Sequence, residues 1–335
     1  MSCRSRFRQF CYIHFRKTDA DFPLAVGRII PVLFIFVQIC GGSLSDIRLK
    51  HKAMNKIGIL LATLLCAVAV GVSAQVNEDS LALVKADWHW KSLGKKAKAG
   101  HAMVDMFGSR QSISVIKYPA RKFSTAIIDS RNPNHDITPR IAERHKALAA
   151  INASYFDIRQ LVPTTYFAVG GKKVAGTSPD ELFRANGYVA VCDDAGHSVE
   201  IAYIDTAQYD AYPSKYKALL ASGPVVLHER QIPEFPDEDG FYNMRHPRTM
   251  IGCDSKYVYF VVVDGRFPGQ GADGATIPEM ARVARYLGME NALNLDGGGS
   301  STAWTRKTGV LNHPSDNRRF DHEGCRKVPN IIIMK

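Results

Sequence analysis

The sequence predicts the α+β class, with a mixed, strand-rich central sheet and a few flanking helices in a single domain. Short β-type runs outnumber the helical patterns, and they do not alternate with helices as regular βαβ repeats would. No internal repeat is visible along the chain. These observations favour a strand-rich α+β fold over a doubly wound one.

Strands are predicted where β-branched and aromatic residues are bounded by turn residues. The predicted strands are Ser112–Tyr118, Ser124–Asp129, Ala147–Asn152, Tyr166–Val169, Gly187–Cys192, Val199–Ile204, Val225–His228, Thr249–Cys253, Tyr257–Asp264, Ala292–Asp296 and Ile331–Met334. Helices are predicted at Pro139–Lys146, Ala207–Tyr216 and Thr276–Leu287. The last helix begins with the capping box Thr276-Ile-Pro-Glu279 and ends at Gly288, so its bounds are the best defined.

The N-terminal part of the chain has the pattern of a processed leader. Residues 54–74 combine a basic start, an apolar stretch and small residues before Gln75, which predicts a secretory signal ending at Ala74. We therefore expect a secreted or periplasmic protein, with residues 1–53 as an over-extended start. A membrane anchor at 29–40 is the alternative, although that run is short for a span. Residues 75–105 are expected to form a polar leader with at most a weak packing patch, and residues 106–335 the domain.

Charge and cysteine content exclude several function classes. Residues 1–74 carry ten Lys/Arg and three Asp/Glu, so only about +4 of the formal net charge of +11 belongs to the rest of the chain. Basic runs interleaved with aromatic residues are missing from the sequence, which argues against a nucleic-acid partner. The cysteines after Ala74 are Cys192, Cys253 and Cys325, and their spacing does not suggest a zinc site. No cofactor is predicted.

Polar clusters interrupt the apolar pattern at the ends of four predicted strands. These clusters are Asn152–Asp157, His246–Thr249, Val263–Arg266 and Asn294–Thr302. Loops held by rigid strands are common places for binding and catalytic residues. We therefore expect a site where these four strand ends meet.

The last cluster contains three consecutive glycines, more than one tight turn requires. Without Cβ atoms, the backbone amides of Gly297, Gly298 and Gly299 can approach an oxyanion closely. The hydroxyls of Ser300, Ser301 and Thr302 can add donors. A nucleotide P-loop is excluded because no Gly-Lys-Ser/Thr ending follows, and a serine-hydrolase elbow is excluded because position 302 is Thr.

Charged residues in the other clusters suit a phosphate ligand. Arg248 precedes a buried-looking strand, which favours an inward, bidentate phosphate ligand over a surface ion pair. His246 is a weaker candidate. Asp264 and Asp296 each follow an apolar strand, although either could instead cap a turn. Glu279 is explained by its capping box and could serve a site as well.

These motifs together resemble the phosphodiester glycosidase family, from about Ala147 to the C-terminus. They are Asn152–Phe156, Ser222–Pro224, Pro247–Gly252, Val263–Arg266, Gly274–Ala281 and Asn294–Thr302. Two departures stand out, namely Ser154 where the family usually has Gly and Met250 where Ala is common. Neither departure removes a charged group, so they bear on substrate fit rather than on the reaction.

The resemblance implies hydrolysis of the glycosidic C–O bond of a sugar-1-phosphodiester, with an N-acetylglucosamine-1-phosphodiester as one candidate. This chemistry needs one or two carboxylates, for which Asp296, Asp264 and Glu279 are the candidate catalytic residues. The implied substrate-binding residues are Asn152, Arg248, Arg266, Thr276, Asn294, Gly297, Gly298, Gly299, Ser300, Ser301 and Thr302. The expected partner is a phosphorylated glycan or glycoconjugate, without stable membrane insertion after signal cleavage, and a metal requirement is left open. Two alternatives remain: a non-catalytic envelope module that binds glycans or phosphate, and a phosphodiesterase or phosphomonoesterase.

Overall fold

The computed structural model describes residues 78–131, 134–237 and 239–335. The predicted over-extended start and signal peptide, and residues 75–77 of the predicted leader, lie outside the described residues. Three larger sheets and two short two-stranded sheets make up the strand content of the described residues. The seven-stranded sheet has the strand order Lys91–Gly94, Ala97–Met106, Ser109–Pro119, Tyr257–Val263, Arg248–Cys253, Asn291–Asn294 and Val225–Leu227.

Two five-stranded sheets and two two-stranded sheets complete the strands. One five-stranded sheet, the Leu220 sheet, has the order Lys172–Ala175, Phe167–Val169, Ala218–Ser222, Gly187–Val191 and Val199–Tyr203. The other, the Ile151 sheet, has the order Gly309–Val310, Ala303–Thr305, Ala149–Asn152, Asn330–Met334 and Thr125–Asp129. The two-stranded sheets pair Lys327–Val328 with Asp136–Ile137 and Phe156–Asp157 with Val162–Pro163.

Helices are short and lie between the strands in sequence. The α-helices with named bounds are Thr138–Arg144, Tyr212–Lys215, Gly240–Asn243 and Ile277–Tyr286, and residues 78–85 are also helical. The 3-10 turns are Ala120–Lys122, Pro179–Glu181, Thr206–Gln208, Pro268–Gln270 and Gly298–Ser300. Within the described ranges, no helix is both long and apolar enough to cross a membrane.

The strand Tyr257–Val263 shows how the core is layered. Its side chains alternate between the two faces of the seven-stranded sheet, as the two-residue period of a strand requires. Val258, Phe260 and Val262 pack into a core shared with both five-stranded sheets. Tyr259, Val261 and Val263 pack on the other face, in the cluster that includes the helix Ile277–Tyr286. The run YVYFVVV is therefore almost continuously apolar because both faces of its strand are buried.

The α+β class is confirmed, while the sheets differ from the expected single mixed sheet. Every strand pairing formed by the described residues is antiparallel. Each predicted strand is present within three residues of its predicted bounds, the largest difference being the start at Ser109 instead of Ser112, and Ala303–Thr305 confirms the strand behind the glycine run. The predicted helix Ala207–Tyr216 is interrupted: a 3-10 turn covers Thr206–Gln208, and the helix itself covers only Tyr212–Lys215.

Residues 78–105 differ most from the sequence-based expectation of a loosely packed leader. In the strand Ala97–Met106, residues Lys98 to Met106 pair with the strand Ser109–Pro119, inside the seven-stranded sheet. Its Ala97 and Ala99 side chains are buried while Lys98 is exposed, so the Lys-rich run is an alternating strand whose inward residues are small. Small inward residues carry little apolar signal, which is why the pattern resembled a polar leader.

Candidate active site

A cavity of about 230 Å³ lies where the predicted polar clusters meet. The strand Arg248–Cys253 pairs with Asn291–Asn294, and the Leu295 amide extends this pairing by donating to the Thr249 carbonyl at 2.8 Å. This register brings Asp296 beside Arg248 at one end of the sheet. The lining residues of this Asp296 cavity are Tyr155, Arg184, Phe241, His246, Pro247, Arg248, Arg266, Asp296, Gly297, Gly298, Gly299 and Arg326.

Asp296 is the one carboxylate among the described residues that lines the Asp296 cavity. Burial raises the pKa of its side chain to about 6, although Ser300, Arg326 and Arg184 favour the charged form. A carboxylate with this pKa can exchange a proton near neutral pH, which general acid–base catalysis requires.

The backbone around Asp296 is fixed on both sides. Its amide donates to the Ala153 carbonyl at 2.9 Å, and its carbonyl accepts a hydrogen bond from the Asn152 Nδ2 at 2.6 Å. The carbonyl oxygen of the Asn152 side chain accepts from the Thr249 hydroxyl and the Thr302 amide. Asn152 is fully buried and therefore positions Asp296; the structure does not place it as the substrate ligand that the sequence predicts.

Arg248 is a buried cation that forms no ion pair with any carboxylate of the residues that the structure describes. Its side chain is 3% exposed; Nε donates to the Ala275 carbonyl at 3.0 Å, and Nη2 donates to the Phe241 and Met244 carbonyls at 2.7 and 3.1 Å. Burial lowers the pKa of this guanidinium to about 10. Because the Nε–Nη2 edge is taken up by carbonyls, the bidentate phosphate contact predicted from the sequence cannot use that edge. The cation still lines the cavity, where an anionic ligand would compensate its charge.

Two further arginines line the cavity and were not singled out by the sequence. Arg184 pairs with Glu181 at 2.5 Å and lies 4.4 Å from the Tyr155 ring centroid. Arg326 forms an ion pair with Asp316. Neither arginine lies in a recognisable motif, and only the tertiary fold brings them to Asp296.

Arg266 reaches the cavity from a left-handed backbone conformation. Its φ of 72° is unusual for a residue other than glycine, and its side chain is exposed. Nη1 contacts the Ser315 hydroxyl at 3.4 Å. Arg266 therefore forms part of an arginine group with Arg184, Arg248 and Arg326, as expected for an anion-binding surface.

The glycines line the cavity chiefly because side chains would not fit there. A Cβ on Gly297 would lie 2.5 Å from the Pro247 carbonyl oxygen, and one on Gly299 would lie 2.5 Å from Arg326 Nη2. Gly298 has a φ of 61°, and its amide donates to the Pro247 carbonyl at 2.8 Å. At least the Gly298 amide is thus engaged within the protein, which limits the anion nest predicted from the sequence.

The residues that follow the glycines are buried beneath the loop. Ser300, Ser301 and Thr302 are at most 1% exposed and lie outside the set that lines the cavity. The Thr302 hydroxyl donates to the Ser300 carbonyl at 3.1 Å. Their predicted role as substrate hydroxyl donors is therefore not what the structure shows; they support the loop from behind.

Asn294 also lies behind the site. Its Nδ2 donates to the Tyr155 hydroxyl at 2.9 Å and to the Gly223 carbonyl at 2.8 Å, and it is 1% exposed. The Tyr155 hydroxyl in turn donates to the same Gly223 carbonyl at 2.5 Å. Asn294 was predicted as a substrate ligand, whereas the structure uses it to fix Tyr155 in the cavity wall.

Glu279 and Thr276 are placed by the helix they begin. The predicted capping box is present, with the Thr276 amide donating to Glu279 at 2.8 Å and the Glu279 amide donating to the Thr276 hydroxyl at 3.2 Å. Glu279 also pairs with Arg245 at 2.6 Å. Both residues lie outside the lining of the Asp296 cavity, and these contacts occupy the Glu279 carboxylate.

Asp264 is likewise occupied elsewhere. It is 1% exposed and accepts hydrogen bonds from Ser112, Asn312 and His313. Of the three predicted catalytic carboxylates, the structure therefore brings only Asp296 to the cavity. The acidic side chain at Asp264 instead anchors the loop that follows Gly309–Val310.

Two neighbouring features extend the site. His246 lines the cavity, and burial together with Arg248 and Arg266 lowers the pKa of its imidazole, so it is neutral near pH 7. A second cavity of about 580 Å³, the Ser315 cavity, shares Arg266 and Arg326 with the Asp296 cavity. Its lining is completed by Phe267, Ser315, Asp316 and Arg318.

Comparison with known proteins points to one family. The model of the phosphodiester glycosidase family matches residues 145–335, which is more than half of the chain. The chain is 31% identical over 124 residues to N-acetylglucosamine-1-phosphodiester alpha-N-acetylglucosaminidase of Bos taurus and 30% identical over 124 residues to that of Mus musculus. Each match covers 35% of this chain and 23% of the relative, so the chain spans about a quarter of the length of these curated relatives.

Solved structures show the same fold at lower identity. The catalytic domain of zebrafish N-acetylglucosamine-1-phosphodiester alpha-N-acetylglucosaminidase aligns with a TM-score of 0.55 and 17% identity, over 74% of this chain and 87% of that one. A hypothetical protein from Synechocystis aligns with a TM-score of 0.53 and 16% identity, over 74% of this chain and 63% of that one.

Proposed function

Because the chain belongs to the phosphodiester glycosidase family, we propose that it hydrolyses the glycosidic bond of a sugar-1-phosphodiester. The products are a free sugar and a phosphate monoester. The observation that carries the proposal is the placement of Asp296, with its pKa of about 6, in a cavity lined by four arginines. The curated relatives are named for an N-acetylglucosamine-1-phosphodiester, which is the first substrate to test.

The arginine group suits the phosphate part of such a substrate. A phosphodiester carries one negative charge, and the departing monoester carries more as the C–O bond breaks. Arg248 has no carboxylate within ion-pair distance in the described part of the chain, so its charge is available to this anion. A preorganised cation in a site of restricted solvent access stabilises developing charge without reorganisation.

Asp296 suits the sugar part. When the glycosidic carbon–oxygen bond breaks, the electron pair stays on the phosphate oxygen. Because the phosphate is a stable leaving group, its departure needs little help from a general acid. The sugar carbon becomes oxocarbenium-like and is attacked by water, whose proton must be removed. The Asp296 carboxylate, which is mostly deprotonated at pH 7, accepts this proton as the general base.

The Ser315 cavity gives room for the remainder of the substrate. It adjoins the Asp296 cavity at Arg266 and Arg326, and Arg318 adds a further positive charge. A substrate whose alcohol part carries additional phosphate or carboxylate groups would fit this surface. We therefore propose a phosphorylated glycan or glycoconjugate as the substrate class, and export through the predicted signal peptide as the route to it.

Product analysis tests the proposal directly. The protein is incubated with N-acetylglucosamine-1-phosphodiesters, and free sugar, phosphate monoester and inorganic phosphate are each quantified. We expect equal amounts of free sugar and phosphate monoester. Release of inorganic phosphate would instead indicate a phosphomonoesterase, and saturable binding without any product would indicate a binding module. Asp296→Asn is the test variant, and Asp194→Asn, at an exposed carboxylate paired with Lys217, is the matched control.

A further inference from the structure

Three side chains of metal-ligand type meet away from Asp296. His101 lies in the strand Ala97–Met106, Asp264 follows the strand Tyr257–Val263, and His313 lies in the loop after Gly309–Val310. One ligand atom from each residue lies within 4.8 Å of those of the other two. The strand Ser109–Pro119 runs between the first two strands, and the hydroxyl of its Ser112 lies within hydrogen-bond distance of both His101 and Asp264.

The Asp264 carboxylate is held in a fixed orientation. Its Oδ1 accepts hydrogen bonds from Asn312 Nδ2 and from the His313 amide, each at 2.9 Å. Its Oδ2 accepts from the Ser112 hydroxyl at 2.6 Å and lies 3.1 Å from His313 Nδ1. Metal-binding carboxylates are commonly oriented by outer hydrogen bonds of this kind.

The two imidazoles are also held in place. The His313 ring stacks on Phe320 with 3.8 Å between ring centroids and on His322 with 4.5 Å. His101 Nε2 lies 2.9 Å from the Ser112 hydroxyl, and its ring meets that of His313 edge-on at 5.6 Å. A Ser-His-Asp catalytic triad is excluded here because the serine lies between the histidine and the aspartate, and Ser112 is fully buried.

We propose that His101, Asp264 and His313 form a binding site for a divalent transition-metal ion, with Zn²⁺ as the best-matched ion. The ligand atoms are His101 Nε2, Asp264 Oδ2 and His313 Nδ1. Two imidazoles and one carboxylate suit zinc and its neighbours in the first transition row, whereas magnesium and calcium prefer oxygen ligands. The fourth position is open to water.

Metal binding at this place requires a change of proton position that the groups can make. His313 Nδ1 now lies at hydrogen-bond distance from Asp264 Oδ2, and a bound ion takes the place of the proton between them. A neutral His313 then carries its proton on Nε2, while a protonated His313 releases one proton to solvent. Because the single Ser112 hydroxyl proton is donated to Asp264, His101 Nε2 is the donor to Ser112. His101 therefore also moves its proton to Nδ1 before Nε2 binds the ion, while Ser112 keeps its contact with Asp264.

The proposed metal site does not depend on the proposed hydrolysis, but its residues lie close in sequence to residues that line the Ser315 cavity. Asp264 lies two residues before Arg266, and His313 lies two residues before Ser315. Arg266 and Ser315 both line the Ser315 cavity. A bound ion would therefore fix the strand end and the loop that carry one wall of that cavity.

The test uses the full chain, stripped of metal with a chelator and titrated with Zn²⁺ by calorimetry and with Co²⁺ by visible absorption. We expect one ion per chain, a d–d absorption band typical of bound Co²⁺ with nitrogen ligands, and a raised Tm with Zn²⁺. His101→Gln can keep a hydrogen bond to Ser112 but removes a good ligand, and His313→Ala removes another. Each should weaken Zn²⁺ binding by about 10-fold or more.

His89→Gln is the matched control, because His89 is a nearby imidazole whose side chain is 73% exposed. It should bind Zn²⁺ as the unmodified protein does. Unfolding of each variant in chelator shows that the fold is retained, and His101→Gln carries the test if His313→Ala does not fold. The proposal is overturned if the unmodified protein shows no saturable Zn²⁺ binding, which would leave a hydrogen-bond network only. It is equally overturned if His101→Gln binds Zn²⁺ as tightly as the His89→Gln control.

Discussion

The Arg248 guanidinium lies 5.0 Å from the ring centroid of Phe241 and donates from Nη2 to the carbonyl of the same residue at 2.7 Å. Phe241 thus holds the cation by both its ring and its backbone. The orientation of Arg248 is set before any ligand arrives, and an anion that binds there gains a fixed positive charge at little ordering cost.

Replacing Arg248 by Lys should reduce kcat/KM strongly. Lysine keeps a charge but cannot donate to the Ala275, Phe241 and Met244 carbonyls in the same fork. We expect a loss on the order of 2–3 kcal/mol of transition-state stabilisation, measured by steady-state kinetics. Arg140→Lys, at an arginine that is 71% exposed, serves as the control. Unchanged kinetics in Arg248→Lys would make this arginine a purely structural residue.

Replacing Asp296 by Asn should abolish most turnover while binding is kept. The change removes the proposed base at nearly constant shape, so kcat should fall by a factor of roughly 100 or more. Burial raises the pKa of Asp296, which means that its charge destabilises the fold at pH 7. The variant should therefore show a Tm equal to or higher than that of the unmodified protein. Turnover at the original rate would exclude Asp296 as the base.

Activity should fall as the pH decreases through about 6. The pKa of Asp296 is raised from 3.8 to about 6, and the proposed base works only when deprotonated. The sign for stability is opposite, since protonation between pH 6 and pH 4 removes an unfavourable buried charge. The profile of kcat/KM against pH, measured beside the Tm at each pH, should thus show a loss of activity over a pH range in which protonation of Asp296 adds to stability. A flat profile from pH 7 to pH 5 would contradict this assignment.

Replacing Gly298 by Ala should weaken the binding of phosphate-containing ligands. A Cβ at this position would lie 3.0 Å from Arg266 Nη2, and an alanine would be strained by the backbone φ of 61°. Gly108→Ala is a matched control, because Gly108 has a φ of 65° and open space around its Cβ position. Both variants should lose about 1–2 kcal/mol of stability from the backbone strain, and only Gly298→Ala should show a raised KM. Equal KM values in the two variants would mean that the glycine serves the turn alone.

The exported protein should begin at Gln75. The basic, apolar and small-residue pattern of residues 54–74 predicts cleavage after Ala74. N-terminal sequencing of protein recovered outside the cytoplasm measures this directly. Recovery with residues 1–53 still attached would refute both the signal peptide and the over-extended start.

The strands and the long helix were predictable because their signals are local. The apolar run of Tyr257–Val263 and the capping box at Thr276 each depend on a few adjacent residues. The class and most strand bounds follow from such signals. How the strands assemble into three antiparallel sheets depends on contacts between distant residues, which no local pattern reports.

The candidate site shows the same division. Asp296, Arg248 and the glycines were found because polar residues at strand ends are visible in the sequence. Asn152 and Asn294 have the same appearance, but they hold neighbouring backbone instead of facing the cavity. Whether a polar side chain at a strand end meets a ligand or another strand is decided by the tertiary structure. Arg184 and Arg326 were missed for the same reason.

The hairpin of Ala97–Met106 and Ser109–Pro119 bears on how far the protein can be shortened. A chain that starts at residue 106, where the sequence suggested that the domain begins, would lack the first of these strands. Ser109–Pro119 would then become an open edge with unpaired amides and carbonyls, although its residues Gln111–Ile116 are buried in the intact sheet. Such edges recruit strands from other molecules, so the shortened protein should self-associate and precipitate during expression.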